Sequence, residues 1–328
     1  MSDLKSNPGF WSGLKRPIMA LSPMDGVTDA ACRLLIARCG KPDVMMTEFV
    51  SVDGLCSAGR EHLLKDLRYD ESERPIVAQV FGNKPELFEE SARLIAELGF
   101  DGVDINMGCP VKVVCKTGSG SALIQTPELA KEVIQATIQG SCGLPVSVKT
   151  RIGYNTLETE EWAGHLLDAH PAALTFHLRT RKEMSQVPAH WEEMPKIVDR
   201  ARGTGVLIIG NGDIWSLDQA EEVCEKYGCD GVMIGRGVFG NPWLFNRERK
   251  IDSLSMTDRL DTMLEHCRLY EEVFGDDKKF LVMRKHLMAY ASGFHDAKEL
   301  RVSLETVYSY ADVIKAVDSF RHRAESAD

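Results

Sequence analysis

The sequence predicts an α/β chain: a TIM (β/α)8 barrel over residues 1–250, then a small all-α domain over residues 251–328. Three observations carry this. Eight short apolar runs recur through the first three-quarters of the chain, each the length of a strand buried in a parallel sheet. Amphipathic stretches with helix start and stop residues separate them. Beyond residue 250 the helical pattern continues with no strand-like run. A doubly wound sheet is the alternative, because repeated βα units alone do not establish closure.

The apolar runs are Ile18–Leu21, Val44–Thr47, Ile76–Val80, Val103–Ile105, Val146–Lys149, Ala173–Phe176, Leu207–Gly210 and Gly231–Ile234. The helix predicted over Pro85–Leu98 opens with a proline, whose missing N–H costs nothing in a first turn, and stops at Gly99. Thr126, Pro127 and Glu128 read as N-cap, first turn and acidic first-turn charge of the next helix. Ser216–Tyr227 stops at Gly228. The tail predicts helices over Thr257–Phe274, Lys278–Ala291 and Ser303–Phe320.

Composition narrows the class. Hydrophobic residues at 44% and charged residues at 27% are globular usage and exclude a disordered or fibrous chain. No run reaches the ~18 apolar residues of a membrane span, so no membrane association is expected. Met1–Lys15 carries Asp3, Lys5 and Pro8 without an apolar stretch, which does not read as a secretory signal. Nine cysteines without a C-x-x-C pair argue against a disulfide framework and against structural zinc; a reduced, cytoplasmic setting and no metal are expected. The net charge of −10 opposes general nucleic-acid binding but leaves room for a local basic groove.

Chemistry in such a barrel gathers at the C-terminal ends of the strands. The residues there are Ser22–Gly26, Gln79, Asn106–Pro110, Lys149 with Arg151, His177 with Arg179 and Arg181, Asn211–Asp213, and Gly235–Gly237. The last two strands of a barrel often hold a phosphate. Gly210, Gly212, Gly235 and Gly237 would let backbone amides approach one, and Arg236 would add a charge-assisted bond; tight βα turns without a ligand are the alternative, but two glycine clusters at the last two strands favour the phosphate. Cys109 could be a nucleophile, a general acid or a passive thiol. Lys149 could form a Schiff base or hold a cofactor as a cation. Asp25 and Asp213 also suit glycine turns, and no Ser-His-Asp or Walker pattern is present.

These rim motifs, in this order, resemble the tRNA-dihydrouridine synthase family, its bacterial branch above all. The segments are Ser22-Pro23-Met24-Asp25-Gly26-Val27-Thr28-Asp29, Asp104-Ile105-Asn106-Met107-Gly108-Cys109-Pro110, Val148-Lys149-Thr150-Arg151-Ile152-Gly153, His177-Leu178-Arg179-Thr180-Arg181, Asn211-Gly212-Asp213-Ile214 and Ile234-Gly235-Arg236-Gly237. Met283-Arg284-Lys285-His286-Leu287 is similar to the family's helical RNA-binding domain. The resemblance implies FMN as cofactor, NADPH as reductant, tRNA as partner and reduction of the uridine C5–C6 bond, with Cys109 protonating C5.

It further implies that Pro23, Met24 and Asp25 line the flavin, that Gln79 and Lys149 bond its polar edge, and that His177, Asn211, Gly212, Asp213, Gly235 and Arg236 lie toward its phosphate. Asn106 is expected to position the uracil, and Lys112, Arg151, Arg179, Arg181, Arg284 and Lys285 to meet RNA. A monomer with no obligate protein partner is expected. Two departures stand out: Ala31–Cys32 replaces a common Pro-Phe, which concerns packing only, and Val113 replaces a second lysine after Lys112. The competing readings are a flavin enzyme of a free pyrimidine such as dihydroorotate, and a lyase using Lys149 as a Schiff base.

Overall fold

The computed structural model describes residues 4–327, so Met1–Asp3 of the N-terminal segment and Asp328 of the tail lie outside the described residues. Among the described residues, nine strands form one parallel sheet: β1 Ile18–Leu21, β2 Met45–Met46, β3 Val50–Ser51, β4 Ile76–Phe81, β5 Gly102–Met107, β6 Val146–Arg151, β7 Ala173–His177, β8 Leu207–Asn211 and β9 Gly231–Ile234. Their order is β1-β9-β8-β7-β6-β5-β4-β2, with β3 also on β4. A bridge between Ala20 and Val44 spans the remaining gap, where the Leu21 N–H donates to the Val44 carbonyl at 2.9 Å. β2 and β3 together fill one barrel position, so this is the eight-position TIM barrel.

The apolar runs become strands because both their faces are covered. Ile76, Val103, Val148, Leu174 and Ile234 are completely buried. Helices Pro85–Glu97, Pro127–Gly140, Thr159–Asp168 and Leu217–Tyr227 pack outside. Ser216 caps the last of these by accepting from the Gln219 N–H, as its position suggests. Thr126 sits at an N-cap position, but its hydroxyl makes no cap bond.

Three expectations change. The run Val44–Thr47 gives only a two-residue strand, and Thr47 instead turns its hydroxyl to the Gln79 N–H at 3.1 Å and the Glu48 carbonyl at 2.9 Å. Ser303–Phe320 is not one helix but two, Ala297–Leu304 and Tyr310–Ala327. The break has a local cause: Ser309 accepts from the Asp312 N–H at 3.2 Å and starts a new helix, and the Asp312 carboxylate holds the Tyr308 N–H at 3.0 Å. Lys278–Ala291 begins as a tight turn, Phe280–Met283, before the α-helix Arg284–Tyr290.

The helical region has its own apolar core, including Leu260, Met263, Leu300, Val313 and Val317, but Ala30, Ala31 and Leu35 of the barrel's Ala30–Gly40 helix belong to that core too. The core therefore crosses the boundary expected at residue 250. Polar ties cross it as well. Lys278 pairs with Glu48 at 3.3 Å and Asp66 at 2.8 Å, Arg38 pairs with Glu265 at 2.8 Å, and Arg68 donates to the Val273 carbonyl at 2.6 Å. Among the described residues no helix is long and apolar enough to cross a membrane.

Candidate active site

Parallel register brings distant residues side by side. Asn106 pairs with Lys149, Arg151 with His177, and His177 with Asn211 across β5 to β8. Beyond these strand ends lies a cleft lined by Pro23, Met24, Lys149, His177, Asn211, Gly212, Asp213, Gly235 and Arg236. It also takes Ser22, from the expected rim, and Ser185, Trp215 and Met233, which sequence reasoning missed. Trp215 carried a readable signal: an exposed aromatic four residues after a strand end, here with the Arg236 guanidinium over its ring at 5.3 Å.

The cleft is cationic. Lys149 is half-buried at the cleft wall, and its pKa is pushed down to about 8 by desolvation first and Arg151 second. Its ammonium donates to the Asn211 side chain at 3.3 Å. Burial, followed by Arg151, Lys149, Arg179 and Arg236, holds His177 well below the ordinary histidine range. Arginine can only donate, so the 3.1 Å contact from Arg179 makes His177 Nε2 an acceptor and leaves the proton on Nδ1. Asp213, in a left-handed backbone conformation, accepts from both Arg179 and Arg236, the latter at 2.7 Å. An anion entering this cleft would relieve the crowding of positive charge around a neutral imidazole, which fits a phosphate and an electron-rich ring.

Two of the four glycines expected at the phosphate do not line the cleft. A Cβ on Gly210 would come within 2.5 Å of the Trp191 ring, so packing requires that glycine, whereas one on Gly237 would meet only the end of the Leu244 side chain at 2.7 Å. Gly212 and Gly235 do line the cleft.

Cys109, Asn106, Gln79 and Asp25 do not line it. Cys109, 8% exposed, sits on a clamped loop just after β5. Asn106 Oδ1 accepts from the Gly108 N–H at 3.1 Å and the Cys109 N–H at 2.9 Å, while its amide donates to Gln79 at 2.9 Å. Ser121 holds the Cys109 carbonyl through its N–H at 3.1 Å and its hydroxyl at 2.9 Å. Burial pushes the Cys109 thiol up, so it keeps its proton at neutral pH. Gln79 is wholly buried and donates to Asp104 at 2.7 Å. Asp25 is exposed on the loop after β1.

The cations expected to meet RNA separate into two groups. Arg151 donates to the carbonyls of Gly108, Thr180 and Met184 at 2.8, 3.0 and 2.9 Å; Arg179 donates to Val187 at 2.6 Å as well as to Asp213. Both are buried and spend their donors on loops, so they correct the expectation of RNA contact: they shape the mouth. Arg181 lies over Tyr154 at 5.3 Å. Arg284 donates to the Val307 carbonyl at 3.0 Å and stacks on Tyr308 at 4.7 Å. Lys112 and Lys285 are exposed, and the Lys285 ammonium lies over Gly26 at the rim, 2.8 Å from where a Cβ would stand.

With this geometry in view, the sequence comparisons are decisive. The sequence model of the family described as dihydrouridine synthase (Dus) matches residues 20–325. The chain belongs to the dihydrouridine synthase family. It is 42% identical over 316 residues to a probable tRNA-dihydrouridine synthase of Staphylococcus aureus (strain COL), covering 95% of each chain. It is 42% identical over 320 residues to a probable tRNA-dihydrouridine synthase 2 of Bacillus subtilis (strain 168), covering 96% of this chain and 97% of that one. Among solved structures, a mutant morphinone reductase in complex with tetrahydroNAD aligns with a TM-score of 0.51 at 15% identity, covering 70% of this chain and 85% of that chain. This last likeness concerns the fold alone. It places the dihydrouridine synthase chain among TIM barrels.

Proposed function

We propose that this dihydrouridine synthase reduces the C5–C6 bond of a uridine in tRNA, with FMN held in the cationic cleft and NADPH as reductant. One observation carries the mechanism: a thiol that keeps its proton stands on a hydrogen-bonded loop after β5, within electrostatic reach of Lys149 in a cationic cleft that suits an anionic, electron-rich group. When bound, a flavin supplies the hydride that saturates C6 of the pyrimidine. Lys149 and Arg236 are the cations that would hold its polar edge and phosphate, and Asn211 orients Lys149. Charge that gathers across C5 and the C4 carbonyl of the base is quenched by a proton from Cys109 Sγ. Asn106 fixes the backbone that aims this thiol. The target base has to leave its helical stack to reach the mouth.

Lys112, three residues after Cys109, and Lys285, over the Gly26 turn, are exposed cations that would meet tRNA phosphates on a chain of net charge −10. The protein works as a cytoplasmic monomer. The test is direct. The purified protein should be yellow and release FMN, and NADPH should bleach it; transcribed tRNA should then restore the colour with formation of dihydrouridine. A colourless protein that cannot be reconstituted with FMN would sink the flavin assignment, and equal turnover of free uridine would sink the tRNA assignment.

A further inference from the structure

Away from the cleft, three side chains meet where the barrel and the helical region join. Cys32 lies on the Ala30–Gly40 helix, His266 on Met256–Phe274 and His286 on Arg284–Tyr290. The Cys32 sulfur and one ring nitrogen of each histidine all lie within 4.8 Å of one another, and all three residues are buried. The two imidazoles meet edge to face with centroids 4.7 Å apart.

Their hydrogen bonding is incomplete. His266 Nδ1 contacts the Tyr290 hydroxyl at 3.2 Å. The Nε2 atoms of His266 and His286 are both buried with no hydrogen-bond partner. Either tautomer then leaves a donor or an acceptor unsatisfied, at a typical cost of ~1–3 kcal/mol for each. Two such atoms beside one thiol are poorly explained by packing, since apolar side chains would fill the same space without that cost.

We propose that Cys32, His266 and His286 bind a divalent, zinc-class cation that pins the helical region to the barrel. A thiolate with two imidazoles is the donor set that such borderline-soft ions prefer. Binding replaces the Cys32 S–H bond by an S–metal bond and releases one proton to solvent. The Tyr290 hydroxyl accepts the His266 Nδ1–H, which fixes the tautomer that leaves Nε2 as ligand. Three protein ligands leave the fourth tetrahedral position to water. Zn–S and Zn–N bonds of ordinary length set ligand atoms about 3.5 Å apart, so loading asks the cluster to close by no more than about 1 Å or slightly more. The site also sets Lys285, the neighbour of His286, over the Gly26 turn at the barrel mouth.

The inference is independent of the flavin and tRNA assignments, and its test reads metal. The full-length protein is stripped with a chelator, then titrated with Co2+ and with Zn2+. One equivalent of Co2+ should give a thiolate-to-cobalt charge-transfer band, which Zn2+ should abolish, and Zn2+ should raise Tm. Cys32→Ser and His266→Gln should each lose the band and bind Zn2+ at least tenfold more weakly. Cys142→Ser, at an exposed thiol, should behave as the parent. X-ray absorption on the unmutated, zinc-loaded protein should read one sulfur and two imidazoles, which covers the case of a variant that does not fold. No charge-transfer band, a band that survives Cys32→Ser, or a metal shell without sulfur would each overturn the proposal.

Discussion

The barrel rim and the helical region both carry clustered cations, but they are organised in different ways. At the rim, residues far apart in sequence become neighbours. Asn106 meets Lys149 and Arg151 meets His177 because parallel register places them opposite one another. In the helical region, residues adjacent in sequence part company. Arg284 turns inward to Val307 and Tyr308, whereas Lys285 reaches out over Gly26. Successive helical side chains point about 100° apart, so a pair of adjacent cations on a helix is not a patch. A site on strand ends is set by register; a site on a helix is set by the face each residue occupies.

The largest expected effect tests the rim. Cys109→Ala should form dihydrouridine ~10²–10⁴ times more slowly, the usual loss for a general acid, while NADPH still reduces the flavin at the parent rate. Cys115→Ala should be close to silent, and stopped-flow measurement of the two half-reactions separates the cases. Next comes Asn106→Ala, which leaves the Gly108 and Cys109 amides without their acceptor. At ~1–3 kcal/mol per buried unsatisfied group, a fall of ~10–100-fold in tRNA reduction with flavin retention unchanged is expected. If FMN were lost instead, Asn106 would belong to the cleft and not to the loop.

Arg236→Ala should weaken FMN binding by less than the ~1.5–3 kcal/mol of a full charge-assisted bond. The guanidinium is half-exposed and already holds Asp213, a pairing that a phosphate must share. Equilibrium dialysis reads this directly. Lys149 adds a pH dependence. Its folded pKa of about 8 lies below the ordinary lysine value, so the ammonium is present at neutral pH and lost as pH rises through about 8. FMN affinity should fall over that window in the parent and stay flat, at a lower level, in Lys149→Met. The linked stability has the opposite sign. From about 8 up to the ordinary lysine range the unfolded chain holds the extra proton, so folding stability gains with rising pH.

The smallest effects separate the two neighbouring helical cations. Arg284→Ala should lower stability by ~1 kcal/mol, as for one lost hydrogen bond, and scarcely change tRNA affinity. Lys285→Ala should leave Tm unchanged and reduce the salt slope of tRNA binding by ~0.7–0.9, the signature of one phosphate contact. If the two variants behaved alike, the divergence of their side chains would have no functional meaning.

The barrel was legible because its signals are contiguous. β1 and β9 match their apolar runs residue for residue, and the Leu217–Tyr227 helix stops at its expected glycine and starts one residue late, with Ser216 as its cap. The polar strand ends could also be found, since one rule places chemistry at one rim. Which of those residues turn away from the cleft was not legible. Gln79 and Asn106 are consumed by bonds to Asp104, to each other and to the Cys109 loop, and no local pattern announces such commitments. The break at Ser309 could have been read from Ser309 and Asp312, but the apolar periodicity across it was the louder signal.

The sequence by itself determined the strand and helix content, the order of the βα units and the identity of the polar rim, because those depend on residues a few positions apart. Tertiary structure alone decided three other things. It made Arg151 and Arg179 structural by burying them among carbonyls. It assigned Gly210 to a tryptophan and not to a phosphate. It placed Cys32 beside His266 and His286, more than two hundred residues away, where no ligand spacing can be read along the chain. In each case the deciding quantity is what lies across a buried gap, and only the folded chain brings the two sides of that gap together.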